Sequence, residues 1–215
     1  MKKRKVEEIL EEFFARYPSL EIVREDLLKA YEFMRKSFQE GGKLLVCGNG
    51  GCAADCDHVV VELVKSSELR RAITADQRKA LVDLYPDFGP WIADRLMGGL
   101  PAISLVAHSS VITAMSNDVC YEMIFAQQVF VYGKPNDILL GMSTSGSSEN
   151  VLHAARMANA LNMHTVALTG SINPDLKNLC DVAICSPEKN AQNVQEHNVA
   201  IYYVLTRLLE NYFFD

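Results

Sequence analysis

The densest group of chemically useful side chains in this sequence is a run of six residues, Ser143 to Ser148, with five hydroxyl groups and one glycine. An apolar run typical of a buried strand precedes it, and a helical pattern follows it at once. The first N–H groups of a helix are unpaired and the helix dipole is positive there, so a loop in this position favours a bound phosphate. An N-cap would explain one hydroxyl but not five, so the segment predicts a phosphate-binding loop.

A second loop, Gly48 to Asp55 (G-N-G-G-C-A-A-D), follows another apolar run and is rich in glycine. Glycine allows the backbone to turn sharply and to approach a ligand closely. Gly48, Gly50 and Ala53 also fit the dinucleotide pattern G-x-G-x-x-A. That pattern needs an acidic residue at the end of a second strand, whereas the region around Glu68 is polar. A dinucleotide-dependent oxidoreductase is therefore a distant alternative, and we expect no nucleotide cofactor.

His58 and Glu62 are four residues apart, so a helix would place both side chains on one face. An imidazole and a carboxylate are a reasonable pair of ligands for a divalent metal. A simple contact between the two side chains within the helix explains the same spacing. The residues alone favour that simpler interpretation.

The bulk properties of the chain narrow the classes of partner. Its 215 residues are 49% hydrophobic and 22% charged, which suits one globular domain with a sizeable core. A net charge of −6 and a pI near 5.4 argue against nucleic-acid and membrane-surface binding. We find no apolar stretch that could span a bilayer and no signal-peptide core, so we expect a cytoplasmic protein with reduced cysteines.

Five short apolar runs alternate with helical patterns, which predicts a parallel sheet covered by helices. The predicted strands are 43–47, 102–106, 137–142, 164–169 and 181–185. The predicted helices between and after them are 53–64, 111–132, 150–161, 174–179 and 193–213. Residues 1–40 predict an N-terminal helical arm, and residues 41–215 predict a three-layer α/β/α domain. The aromatic residues near the end of the chain predict helix packing or a subunit contact.

Residues 66–99 interrupt the alternation with a helical insert. Thr74 and Gln77 form a capping-box pattern that opens a helix running to Leu84. A second helix is predicted over 91–97, between Pro90 and the glycines at 98 and 99. A lid, an oligomer contact and an inert insertion all fit this segment.

The two loops, G-N-G-G-C-A-A-D (48–55) and S-T-S-G-S-S (143–148), in this order, resemble the sugar isomerase (SIS) domain, and most closely its phosphoheptose isomerase group. Matching stretches include H-V-V-V-E-L (58–63), S-N-D (116–118), G-K-P-N-D-I-L-L-G-M-S-T-S-G (133–146) and V-Q-E-H (194–197). The resemblance implies a five-stranded parallel sheet of flavodoxin-like topology. It also implies a homotetramer that isomerises a sugar phosphate such as sedoheptulose 7-phosphate.

The resemblance also assigns roles to individual residues. The implied phosphate-binding hydroxyls are Ser143, Thr144, Ser145 and Ser148. The other implied substrate contacts are Asn49, Gly50, Gly51, Cys52, Asp118 and Gln195. The implied metal ligands, usually for zinc, are His58, Glu62 and Gln195. Glu62 is also the implied catalytic base.

The last helix departs from the family pattern, which carries two histidines in Q-E-x-H-x-x-x-x-H. Asn198 stands at the first position, and Tyr203 stands at the second, the implied fourth metal ligand and catalytic acid. His197 is shifted by one residue, about 100° round the helix, and points elsewhere. Tyrosine is an uncommon zinc ligand, so we expect zinc affinity to fall or vanish, with Tyr203 as the remaining acid. Cys52 and Ser147 replace a serine and an asparagine of the family loops.

Two outcomes follow from these departures. Isomerisation moves a proton between adjacent carbons through an enediol, which needs a carboxylate base and a group that serves the oxygens. Glu62 and Tyr203 supply both, and a phosphate anchor would fix the reacting carbons. The residues favour this isomerase, with altered substrate or chemistry, over a phosphosugar-binding regulator without activity.

Overall fold

The structure is a computed structural model that describes residues 3–214. Its centre is a five-stranded, all-parallel sheet in the order β2-β1-β3-β4-β5. The strands are β1 Leu44–Gly48, β2 Ala102–Ser104, β3 Ile138–Ser143, β4 His164–Thr169 and β5 Val182–Cys185. This order is the flavodoxin-like one, so the predicted sheet and its topology are confirmed.

Helices cover both faces of the sheet. The N-terminal helices are α1 Val6–Arg16 and α2 Arg24–Gln39, joined by a 3₁₀ turn, Pro18–Val23. The others are α3 Gly51–Val64, α4 Ala75–Leu84, α5 Gly89–Ala93, α6 Ser109–Asp118, α7 Ile124–Tyr132, α8 Glu149–Ala160, α9 Asp175–Leu179 and α10 Ala191–Phe213. Within residues 3–214, none of them is both long and apolar enough to cross a membrane.

The side chains of each strand alternate between the two faces of the sheet, and each face has its own hydrophobic core. Leu44 and Val46 of β1 belong to a cluster with α1, α2, α3 and α10, whereas Leu45 and Cys47 belong to a cluster with α7, α8 and α9. Successive side chains of a strand point to opposite faces, so a strand with helices on both sides must be apolar throughout. This arrangement is the predicted three-layer sandwich. The N-terminal helices are part of the first core.

Two predicted helices are wrong in their bounds. The segment 111–132 is not one helix, because the backbone leaves the helical region at Val119 (ψ −86°) and is extended at Cys120 (φ −171°, ψ 156°). A 3₁₀ turn over Tyr121–Met123 then leads into α7. In the insert, α5 begins at Gly89 and ends at Ala93, because Pro90 is tolerated in a first helical turn. The Thr74 capping box that opens α4 is confirmed.

The order in which strands are added to the sheet switches sides at β1. β2 lies outside β1 on one side, and β3, β4 and β5 follow on the other. At such a switch point the loops after the two neighbouring strands separate and leave a crevice at the carboxyl edge. The glycine loop after β1 and the hydroxyl-rich loop after β3 therefore start side by side, since Gly48 pairs with Met142.

Candidate functional site

The hydroxyl-rich loop folds back so that its serine side chains converge. The Ser143 hydroxyl lies 3.0 Å from Ser148 Oγ and 3.3 Å from Ser145 Oγ, and it accepts the Gly146 N–H at 3.1 Å. Gly146 has φ +73°, and a β-carbon there would come within 2.6 Å of the carbonyl oxygen of Asn173. Glycine is thus required for the tight turn that brings the hydroxyls together.

Ser148 occupies the N-cap position of α8 without acting as a side-chain cap. In the described structure its hydroxyl pairs with that of Ser143 instead of an N–H of the first turn. The Val151 N–H donates to the Ser148 carbonyl oxygen at 2.9 Å, so the N–H groups of Glu149 and Asn150 are the ones that keep their capacity to donate. Ser145 is exposed and Thr144 and Ser148 are half-buried, so these donors and hydroxyls face a reachable surface.

An amide pair connects the two loops. Asn49 Nδ2 donates to Asn150 Oδ1 at 2.8 Å, and Asn150 Nδ2 donates back to Asn49 Oδ1 at 2.9 Å. The Tyr121 hydroxyl donates to the same Asn49 oxygen at 2.8 Å. Gly50, with φ +55°, provides the sharp turn before α3. Sequence reasoning placed Asn49 and Gly50 at the site but missed Asn150 and Tyr121, whose partners are distant in sequence.

The facing sides of α3 and α10 bring together the side chains predicted for chemistry. The Tyr203 hydroxyl lies 3.0 Å from His58 Nε2, and Glu62 Oε1 lies 4.0 Å from the same nitrogen. The Tyr202 hydroxyl lies 3.1 Å from His58 Nδ1. Glu62 is 9% exposed, and burial together with the charge of Glu62 raises the pKa of Tyr203. Tyr203 is therefore a neutral hydroxyl at physiological pH.

Gln195, eight residues before Tyr203 on α10, occupies the glycine-loop end of this face. Its amide nitrogen donates to Asp55, and its amide oxygen accepts from Cys52 Sγ at 3.3 Å. It packs directly on Gly51, where a β-carbon would come within 3.1 Å of the amide oxygen. Burial raises the pKa of Cys52 to about 11, against the opposing effects of the Thr144 backbone and Gln195. Cys52 is thus a thiol that contacts the loop after β3.

Asp118 stands apart from these contacts. It ends α6 and is exposed, and its carboxylate accepts a bond from Asn117 at 2.8 Å. His197 points away from α3, with Nδ1 2.8 Å from the Ser186 hydroxyl. Glu68, the acid nearest to the spacing required for a dinucleotide ribose, lies in the insert and accepts a 2.8 Å bond from Arg207. The dinucleotide alternative therefore lacks its ribose-binding carboxylate.

A cavity of about 380 Å³ opens beside Glu62 and Tyr203. It does not include the hydroxyl-rich loop. The charged residues that line it are Glu12, Arg16, Glu62, Glu68, Glu196 and Arg207. Four carboxylates against two guanidinium groups disfavour a phosphate dianion. The neutral hydroxyl and N–H donors are concentrated in the hydroxyl-rich loop and not in this cavity.

The implied metal ligands do not fit a metal ion. Both ring nitrogens of His58 and both amide atoms of Gln195 are already hydrogen-bonded. The fourth position carries the neutral hydroxyl of Tyr203, whereas zinc is held by thiolate, imidazole or carboxylate. Across residues 3–214, no group of three or more His, Cys, Asp or Glu side chains is arranged to hold a metal.

Comparison with known proteins places this geometry among sugar isomerases. A family model described as the SIS domain matches residues 83–170. The chain is 34% identical to the phosphoheptose isomerase of Maridesulfovibrio salexigens over 208 residues, which is 97% of this chain and 86% of that protein. It is 37% identical to the phosphoheptose isomerase of a Roseiflexus species over 180 residues, 84% of this chain and 78% of that protein.

Solved structures give the same result. The phosphoheptose isomerase of Francisella tularensis superposes with a TM-score of 0.74 at 28% identity, covering 96% of this chain and 98% of the other. The phosphoheptose isomerase of Neisseria gonorrhoeae superposes with a TM-score of 0.73 at 26% identity, covering 96% and 99%. The likeness thus extends over nearly the whole of both chains.

Proposed function

The chain belongs to the phosphoheptose isomerase family, and we propose on this premise that it interconverts the ketose and aldose forms of a phosphorylated sugar. Sedoheptulose 7-phosphate is the first substrate to test. One observation carries the proposal: the hydroxyl-rich loop is joined through Cys52, Gln195 and Asp55 to the helix face that presents Glu62 and Tyr203.

The hydroxyl-rich loop would hold the phosphate. Ser145 and Ser148 offer hydroxyls, and the backbone at the start of α8 offers N–H groups, so a dianion is bound without a lysine. This anchor lies at the far end of the substrate from the reacting carbons. Its binding energy is available to hold those carbons against Glu62, which converts affinity into a lower barrier.

Glu62 is the proposed base. Its carboxylate takes a proton from one carbon of the sugar and returns it to the neighbouring carbon, with an enediol between the two steps. The first step also adds a proton to the carbonyl oxygen of the sugar. The second step removes a proton from the hydroxyl on the neighbouring carbon. The Tyr203 hydroxyl exchanges protons with those oxygens, because it is neutral and lines the same cavity as Glu62.

Assembly and location remain predictions. The family resemblance predicts a homotetramer, and the apolar side chains Val119, Phe130 and Val131 are exposed, as a subunit contact would require. Sedimentation equilibrium would measure the assembly. The cytoplasmic location rests on the sequence alone.

The test is conversion of sedoheptulose 7-phosphate, followed by NMR through the anomeric protons of the aldose product, with binding measured in parallel by calorimetry. We expect conversion, and no binding of the sugar without its phosphate. Binding without conversion, for this and other ketose phosphates, would contradict the isomerase and favour the phosphosugar-binding regulator. Absence of binding to every sugar phosphate would contradict both.

A further inference from the structure

The helix face that carries Glu62 holds a continuous chain of hydrogen-bonded side chains, and we propose that this chain takes the place of a divalent metal at the site. Its members are Asp55, Tyr202, His58 and Tyr203. The inference rests on the proposed function for its catalytic part. Its metal-binding part is tested without turnover.

The direction of donation along this hydrogen-bonded chain of side chains is set by its buried end. The Tyr202 hydroxyl, on a side chain that is 1% exposed, donates to Asp55 Oδ1 at 3.4 Å. Having donated its proton, the Tyr202 oxygen can only accept from His58 Nδ1, 3.1 Å away. A neutral imidazole protonated at Nδ1 has its lone pair at Nε2, so Nε2 accepts the proton of Tyr203 at 3.0 Å. One tautomer of His58 satisfies every contact.

The hydrogen-bonded chain of side chains runs from a buried, fixed end at Asp55 to an exposed end at Tyr203. Asp55 is 8% exposed and is also held by Gln195, whereas Tyr203 is 39% exposed and lines the cavity with Glu62. The proton of Tyr203 points to His58, so its oxygen lone pairs remain for the cavity. The open end thus presents an oxygen acceptor, backed by an imidazole that can take up a proton.

This geometry defines a balanced proton transfer. As a hydroxyl of the enediol gives its proton to the Tyr203 oxygen and Glu62 returns its proton to the neighbouring carbon, the proton of Tyr203 passes to His58 Nε2, which leaves a sugar carbonyl and an imidazolium. In the reverse step the imidazolium returns its proton to Tyr203, and Tyr203 protonates the carbonyl oxygen. The carbon-bound proton moves through Glu62. No electron acceptor is needed, because the sugar is oxidised at one carbon and reduced at the next.

The same contacts oppose metal binding. An ion at this face could reach the Glu62 carboxylate, but it would have to remove Tyr203 from His58, and Gln195 from Asp55 or Cys52, before it gained either of the other two ligands. Asp55 and Cys52, the partners of Gln195, are 8% and 4% exposed, and buried polar groups deprived of their partners carry a large penalty. The site would recover an imidazole at its fourth position only through Tyr203→His.

The experiment measures zinc in three full-length proteins: wild type, Tyr203→His and the control Tyr85→His, which adds a histidine on the exposed part of the insert. After chelator treatment and dialysis, zinc is titrated by calorimetry, and bound metal is counted by mass spectrometry. We expect about one zinc per chain in Tyr203→His and none in the other two. Stoichiometric zinc in wild type that is lost in His58→Ala would overturn the inference, and so would a Tyr203→His protein that binds none.

Activity separates this inference from the proposed function. With an active wild type, we expect full turnover in chelator and a loss of roughly 100-fold in kcat for Tyr203→Phe, with an unchanged Kd for the sugar phosphate. Full activity of Tyr203→Phe would overturn the relay. A wild type that binds no zinc and converts no sugar phosphate would overturn the proposed function while leaving the metal-free assignment in place.

Discussion

The loop that is proposed to hold the phosphate and the helix face that is proposed to perform the chemistry are built in opposite ways. The hydroxyls of the loop contact one another within residues 143–148, so that local backbone geometry sets how they converge. The helix face makes its contacts between α3 and α10, whose paired residues are about 140 positions apart. The residues proposed for binding therefore lie in one short motif. The residues proposed for chemistry depend on the packing of two helices that are distant in sequence.

The two regions also differ in how they respond to the departures that the family resemblance implies. At the loop, Ser147 stands where the resemblance implies an asparagine, and its hydroxyl donates to Ser145 beside the turn that Gly146 forms with φ +73°. On the helix face, one substitution at Tyr203 alters the partners of His58 and the character of the whole cluster. The helix face works through side-chain contacts alone, so a single residue changes its chemistry, whereas the loop combines several hydroxyls with backbone N–H groups.

The largest effect should come from Glu62→Gln, which removes the base and leaves the loop intact. We expect kcat to fall by about 10³-fold, within the usual range for a general base. The Kd for the sugar phosphate should stay within a few-fold of wild type, and circular dichroism should show the same fold. A kcat near that of wild type would place the base elsewhere.

The second effect concerns the buried ion pair that fixes the end of α3. Arg71 and Glu210 are each 1% exposed at the side chain and lie 2.8 Å apart, and Arg71 also donates to the carbonyl oxygens of Glu62 and Leu63. Removal of one partner of such a pair costs about 3–5 kcal/mol. We expect Arg71→Met to lose this much unfolding free energy in urea, whereas the exposed pair Lys79–Asp83 should be insensitive to Asp83→Asn.

A smaller effect is the acid sensitivity of the same pair. Burial alone would raise the pKa of Glu210, but the N–H groups of Ser67 and Glu68, with Arg71, hold it below its ordinary value of 4.5. The unfolded carboxylate titrates near that ordinary value. The stabilisation is therefore complete above pH 4.5 and is lost as the pH falls through the lower folded value. Urea titrations between pH 3 and 7 should show a shallower acid slope for Glu210→Gln than for wild type.

The smallest effect should come from the amide pair between the two loops. Asn150→Ala leaves Asn49 without its reciprocal partner, which we expect to cost about 1–2 kcal/mol and to weaken sugar-phosphate binding by about tenfold. The exposed Asn178→Ala serves as the control in α9. Equal affinities of the two variants would contradict a role for the pair in holding the loops together.

The sequence predicted the sheet and the two loops because their signals are local. Apolar runs marked each strand, and hydroxyl and glycine density marked the turns at the switch point. The break at Val119 was missed, since the helical pattern continues through it and the tertiary structure decides the turn. Tyr202 is one of the terminal aromatic residues predicted for helix packing or a subunit contact, yet its hydroxyl joins His58 to Asp55. Such contacts depend on the register between α3 and α10, which no local pattern specifies.

The central claim is that the hydroxyl-rich loop binds the phosphate of a sugar phosphate. The most direct measurement is calorimetric binding of sedoheptulose 7-phosphate to Ser145→Ala/Ser148→Ala, with Ser147→Ala as the control in the same loop. Two lost hydrogen bonds to a charged group predict at least about a 100-fold weaker Kd in the double variant, with little change in the control. An unchanged Kd in a folded double variant would contradict the account.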